Sequence, residues 1–307
     1  MKVSELVIRA GKKYPRVTKS VVTLGAKIWL KIGPRSSIHN PHWLAKNLVR
    51  NYFVRVPVKV SLANGIQILV PWCDQVGEEI AGGGGYEPDT QALLQKLLKP
   101  GMTVFDIGAH AGIYSLHAAR LVGDTGMVHS FEAEPVLADW IRRSARLNDI
   151  TNIAVSATVL SDEVGEVSFY HASDASVNSL VKPRAHYGFE VVTMPSTTLS
   201  SYLEQHAIEH IDLIKIDVEG AELDVLGTIK PLLCADTRPV IIVEFAESRA
   251  SLADLADFLL NCGYVLYKIS ADKLLPLDRD ALSARANPDQ PADAFNALAV
   301  SPEYKVD

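Results

Sequence analysis

The sequence predicts an α/β fold: a mainly parallel sheet with helices on both faces. Two observations carry this. From residue 89 onward, short apolar runs of strand length alternate with segments of helical periodicity. Those runs are almost continuously apolar, as expected of strands buried on both faces. The 307 residues, 48% apolar and 21% charged, provide ample material for a core and exclude wholesale disorder.

Three zones follow in order: a basic helical arm over 1–51, a β-hairpin and glycine-rich segment over 52–88, and the alternating body over 89–307. In the first, Val21, Leu24, Ile28 and Ile32 recur at helical spacing with Lys27 and Lys31 beside them. Residues 1–60 hold 13 Lys/Arg and a single acid, Glu5, a net charge of +12. The remaining 247 residues hold 17 bases and 35 acids, a net charge of −18. The arm therefore either meets an anionic partner, such as a membrane surface or nucleic acid, or packs on the acidic body. Lys27 and Lys31 break its apolar run, so neither a membrane span nor a signal peptide is expected. Cys73, Cys234 and Cys262 are far apart and show no CxxC, so a disulfide framework and a zinc site are not expected. A cytoplasmic, reducing setting fits, with peripheral contact at the inner membrane face open.

In the second zone Asn64-Gly65 separates Val58–Leu62 from Ile66–Val70, a strong hairpin signal. Gly82 to Gly85 follow, then Tyr86-Glu87. The body opens with a helix capped by Asp89 and stopped at Pro100-Gly101. Strands are expected at Thr103–Ile107, Met127–Phe131, Ile153–Leu160, Ile211–Ile216, Val240–Glu244, Tyr264–Ile269 and Asn296–Val300. Pro135 begins one helix. Ser251 with Asp254 forms a capping box ahead of another, which Gly263 closes.

Parallel sheets bind ligands at the carboxyl ends of their strands. The loop Asp106-Ile107-Gly108-Ala109-His110-Ala111-Gly112 follows the first strand of the body and opens a helix, whose N-terminus can receive a carboxylate or phosphate. It lacks the G-x-G-x-x-G pattern of dinucleotide sites, and its leading acid suits a ligand bearing an ammonium group, as S-adenosylmethionine does. Glu132 ends the next strand, where an acid can accept two ribose hydroxyls. Asp162 ends the third, where it either meets an adenine amino group or forms a turn. Lys215, Asp217 and Glu219 alternate along the fourth strand, and Glu244 ends the fifth. Charges on central strands are costly unless paired or at work. Asp217 is the candidate to orient or deprotonate an acceptor. Asp217 and Glu244 could bind Mg²⁺, but too few ligands are identifiable, so a divalent metal is possible and not predicted.

The run Asp212 to Glu222, the Asp106–Gly112 loop, Gly85-Tyr86-Glu87, Phe131-Glu132-Ala133-Glu134-Pro135 and Leu160-Ser161-Asp162 together resemble the FkbM family of S-adenosylmethionine-dependent methyltransferases. The resemblance spans about residues 55–300. It implies a class I methyltransferase sheet of seven strands whose last hairpin is antiparallel. It places Glu87, Asp106, Gly108, His110, Gly112, Glu132, Ala133, Asp162 and Asp217 at the cofactor. On the reaction side it places Asp217, Glu219 and Glu244, supported by Lys215. His110 departs from the family, which usually has Asn there. The implied acceptor is a hydroxyl of a saccharide, glycolipid or related natural product. Two other readings stand beside it. A nucleic-acid methyltransferase lacks the Asn/Asp-Pro-Pro-aromatic and Pro-Cys motifs, and the acidic body would repel nucleic acid. A non-catalytic cofactor-binding module sits poorly with three retained carboxylates.

Overall fold

A computed structural model describes residues 57–71, 75–81, 86–172, 178–181, 189–245, 252–270, 273–278 and 294–304. The basic arm, Gly82 to Gly85, Cys73 and Ser251 lie outside them. The chain opens with the expected hairpin, β1 (Val58–Ser61) and β2 (Gln67–Val70), paired Val58↔Val70 to Ser61↔Gln67. Helices α1 (Gln75–Ala81) and α2 (Pro88–Leu97) follow. Glu87, not Asp89, occupies the N-cap position of α2, and Asp89 lies in its first turn.

Next come β3 (Thr103–Ile107), α3 (Ile113–Val122), β4 (Met127–Phe131), α4 (Pro135–Leu147) and β5 (Ile153–Ser156). Pro135 starts α4 as expected, and the Glu134 side chain caps it by accepting from Val136 N–H. A side sheet is built from β6 (Val159–Leu160), β7 (Gly165–Ala172) and β8 (Phe189–Thr197). The chain then continues through α5 (Leu199–Gln205), β9 (Leu213–Ile216), α6 (Glu222–Gly227), α7 (Lys230–Leu233), β10 (Val240–Phe245), α8 (Leu252–Asn261), β11 (Val265–Ser270), β12 (Lys273–Leu277) and β13 (Phe295–Val300).

The main sheet runs β12-β11-β13-β10-β9-β3-β4-β5. Strands β5, β4, β3, β9 and β10 are parallel; β13 is antiparallel to both β10 and β11. The resemblance implies seven strands; the sheet has eight, with β12 paired to β11 at the edge. Ile153–Leu160 is not one strand. It breaks after Ser156, and Val159–Leu160 leaves to pair with β8 in the side sheet. That sheet was not expected: β8 is mostly exposed and carries Pro195, which weakens its strand signal.

Alternation along the strands divides the core. Phe105, Ile107, Ile214, Ile216 and Val243 face α5, α6 and α8. Val104, Val128, Leu213 and Ile242 face α2 and α3. The hairpin docks on α4, where Ser144 Oγ and Asn148 Oδ1 accept from the N–H groups of Leu69 and Gln67. Cys234 and Cys262 form a disulfide. This corrects the expectation of separate thiols: α7 and α8 bring together two cysteines 28 residues apart in sequence. Among the described residues, no helix is long and apolar enough to cross a membrane.

Candidate active site

The strand order reverses between β3 and β9. From there the chain proceeds outward to β4 and β5 on one side and to β10 on the other. The carboxyl ends of these strands therefore diverge around a crevice, as at other switch points of open α/β sheets. A cavity of about 300 Å³ lies there, lined by Gly108, His110, Glu132, Lys215, Asp217, Glu219 and Glu244 among others.

Glycine fixes the geometry of the first loop. Gly108 adopts φ +79°, and a Cβ there would lie 1.8 Å from the carbonyl oxygen of Asp217. The loops after β3 and β9 pack backbone to backbone at this point, and Asp217 N–H donates to Ile107 O at 3.0 Å. The close approach that glycine permits is thus to the neighbouring loop. Gly112, at φ +82°, has a parallel role, since a Cβ would meet Ile141 of α4 at 2.9 Å. It sets helix packing and does not line the cavity. His110 adopts φ 51°. Asn and His are both enriched in this left-handed region.

Glu132 is 8% exposed. Its Oε2 accepts from His110 N–H at 2.7 Å and its Oε1 from Glu134 N–H at 2.8 Å. Burial pushes this carboxyl up to about 7, against the pull of the two N–H donors and of His110. Ala133 lines the cavity beside it. Asp162 is exposed on a turn in which Ser161 Oγ donates to Glu163 O, and Thr158, Val159 and Leu160 reach the cavity instead.

Asp106 is 1% exposed and sits behind the cavity wall. Its Oδ2 accepts from Ser115 Oγ at 2.5 Å, and Ser115 also bonds Ser130 at 2.8 Å. Asp106 Oδ1 has no hydrogen-bond partner among the described residues. In the β3–β9 register Asp106 stands beside Lys215, on the face covered by α3. Lys215 is 3% exposed and donates to Asp217 Oδ2 at 3.0 Å.

Lys215, Asp217 and Glu219 do not alternate on one strand as the sequence suggests, because β9 ends at Ile216. Glu219 occupies a turn at φ 60°, held by two bonds from Val218 and Gly220 N–H to Glu222 Oε1, each 3.0 Å. Ser179 Oγ donates to the Glu219 carbonyl at 2.9 Å. This turn nevertheless brings carboxylate oxygens of Asp217, Glu219 and Glu244 within 4.8 Å of one another. The negative charge of Asp217, then burial, then Glu219 hold the Glu244 carboxyl well above the usual carboxylate range. Glu222 and Ser179 were missed by the sequence reading. Glu222 belongs to the quoted motif, but its carboxylate ties the turn and does not point to a ligand.

Chemically, the cavity lining combines a buried carboxylate suited to paired hydroxyls, Glu132, with apolar Val159, Leu160 and Phe169. It also carries the Asp217, Glu219 and Glu244 cluster, which suits a cation and, where ionised, can accept a proton. This donor set fits S-adenosylmethionine, which carries a ribose, a purine and a sulfonium.

The family model described as the methyltransferase FkbM domain matches residues 106–266. The 31-O-demethyl-FK506 methyltransferase FkbM of Streptomyces tacrolimicus is 28% identical over 197 residues, 55% of this chain and 75% of that protein. Methyltransferase sdnD of Sordaria araneosa is 28% identical over 152 residues, 40% of this chain and 58% of that protein. Among solved structures, a precorrin-6y C5,15-methyltransferase from Geobacter metallireducens GS-15 is similar with a TM-score of 0.41 at 14% identity. The match covers 69% of this chain and 88% of that one.

Proposed function

Because the chain belongs to the FkbM family of S-adenosylmethionine-dependent methyltransferases, we propose that it methylates a hydroxyl of a saccharide, glycolipid or related natural product. One observation carries this reading. Asp217, paired with Lys215, opens into the same cavity as Glu132. The Streptomyces relative's name designates a 31-O-demethyl acceptor, which supports the choice of O-methyl transfer.

When bound, S-adenosylmethionine supplies a methyl group made electrophilic by the adjoining sulfonium. Glu132 holds the ribose hydroxyls, with the backbone of Gly108, Ala109 and His110 beside it. Asp217 accepts the proton of the acceptor hydroxyl, and Lys215 fixes the carboxylate that does so. Glu244, kept protonated by the crowding of Asp217 and Glu219, donates a hydrogen bond to the acceptor and orients it. Lys215 and the retained proton offset two of the three negative charges of the cluster; a divalent metal is not part of this proposal. The basic arm over 1–51 gives a lipid-linked acceptor a route to the site by holding the protein at an anionic membrane face.

The test is methyl transfer from labelled S-adenosylmethionine to a panel of hydroxylated glycans and glycolipids, run in EDTA. Asp217→Asn is expected to lower turnover by about 10²–10⁴-fold and to leave cofactor affinity within about threefold. Undiminished turnover in single variants of Asp217, Glu219 and Glu244 contradicts the assignment. Turnover restored only by added Mg²⁺ contradicts the metal-free reading.

A further inference from the structure

We propose that Glu87 is a positioning residue. It acts through Tyr114 and Asn296 to set the Lys215–Asp217 pair, and it does not touch the cofactor. The inference rests on the reading of Asp217 as the residue that faces the acceptor.

Glu87 precedes α2 at φ 44°, in the left-handed region that residues other than glycine seldom occupy. Its side chain bonds Tyr114, which lines the cavity, and Asn296. Oε2 accepts from the Tyr114 hydroxyl of α3 and, at 2.5 Å, from Asn296 Nδ2 of β13. Asn296 Nδ2 also lies 3.2 Å from Thr90 Oγ1 of α2. One carboxylate oxygen therefore ties the start of α2 to α3 and to strand β13 of the sheet that these helices cover.

That face carries the charged residues. Asp106 stands beside Lys215 in the β3–β9 register, and Glu244 stands opposite Asn296 in the β10–β13 register. Tyr114, 3% exposed, presents its ring to the Lys215 ammonium, with Nζ 4.9 Å from the centroid. The Tyr86 ring meets Tyr114 edge-on at 6.4 Å and lines the cavity. A lysine ammonium is a point charge on a flexible four-carbon stem with three rotatable donors. Here its direction is set by Asp217 ahead, Asp106 alongside and the Tyr114 face. Glu87 is what holds the Tyr114 ring in that place. Burial opposes the charge on Lys215, but Asp217, Asp106 and Glu87 outweigh it and leave the ammonium harder to deprotonate than an ordinary lysine. Glu87 and Asn296 both lie outside residues 106–266, so the flanks of the matched segment complete its site.

The experiment is ¹⁵N NMR of the lysine side-chain ammonium groups, with the Lys215 signal assigned by its loss in Lys215→Arg. It is run alongside calorimetric titration with S-adenosylmethionine. Wild type is expected to show a slowly exchanging Lys215 signal shifted by the Tyr114 ring. In Glu87→Gln and in Tyr114→Phe that signal is expected to broaden or vanish. Cofactor affinity is expected to stay within about threefold in both. Because the two residues act in series, the double variant is expected to do no worse than the stronger single one. An unchanged Lys215 signal in both single variants overturns the proposal. So does cofactor affinity weakened tenfold or more in Glu87→Gln, the outcome of direct contact. If Glu87→Gln does not fold, Tyr114→Phe carries the same test. None of these readouts needs an acceptor, so turnover that survives Asp217→Asn would defeat the functional reading separately.

Discussion

In the proposed function, Glu132 is the one buried carboxylate that meets the ribose hydroxyls. With burial pushing it up to about 7, part of the protein carries it protonated near neutral pH. Only the ionised form can accept two ribose hydroxyls with both oxygens while keeping the bonds from His110 and Glu134. Affinity for S-adenosylmethionine is therefore expected to strengthen by roughly tenfold from pH 6 to pH 8, following the ionised fraction of this group. The slope should disappear in Glu132→Gln; calorimetry at the two pH values checks both. The sign for folding is the opposite. A carboxyl whose folded pKa is raised lends stability below its unfolded value of 4.5, and that contribution is lost as pH rises through about 7.

At the scale of elements, the decisive contact joins the loops after β3 and β9. Gly108 approaches the Asp217 carbonyl too closely for any Cβ, and its φ of +79° disfavours other residues in any case. Gly108→Ala is expected to push the two loops apart, lower the melting temperature by several degrees and abolish cofactor binding. A variant that melts and binds like wild type contradicts this account of the loop. Much at this scale was legible in the chain. Thr103–Ile107 and Met127–Phe131 have the expected bounds, because buried parallel strands read as continuous apolar runs. Asp217, Glu219, Glu244 and Glu132 converge on one cavity because each follows or ends a strand at the same sheet edge. What sequence could not give was contact between distant segments. Asp106 looks like a cofactor ligand by position, yet Ser115 takes it from behind the wall. The resemblance places Glu87 at the cofactor, and its carboxylate bonds a residue 209 positions away. The side sheet escaped notice because β8 offers weak alternation and a proline.

For the whole molecule, charge is divided between residues 1–60, at +12, and the remaining 247 residues, at −18. If the arm holds the enzyme at a membrane, removing residues 1–51 is expected to reduce sedimentation with anionic liposomes, most clearly at low salt. Equal recovery with and without the arm contradicts the membrane role. The body is a separate matter: its sheet, its switch point and its cavity all converge on one cofactor. The most direct measurement is calorimetric titration of S-adenosylmethionine into wild type and into Glu132→Ala, with folding of both verified by circular dichroism. Micromolar-scale binding to the wild type is expected, with a dissociation constant at least tenfold weaker in the variant. A folded wild type that binds no S-adenosylmethionine, or a variant that binds it equally well, would contradict it.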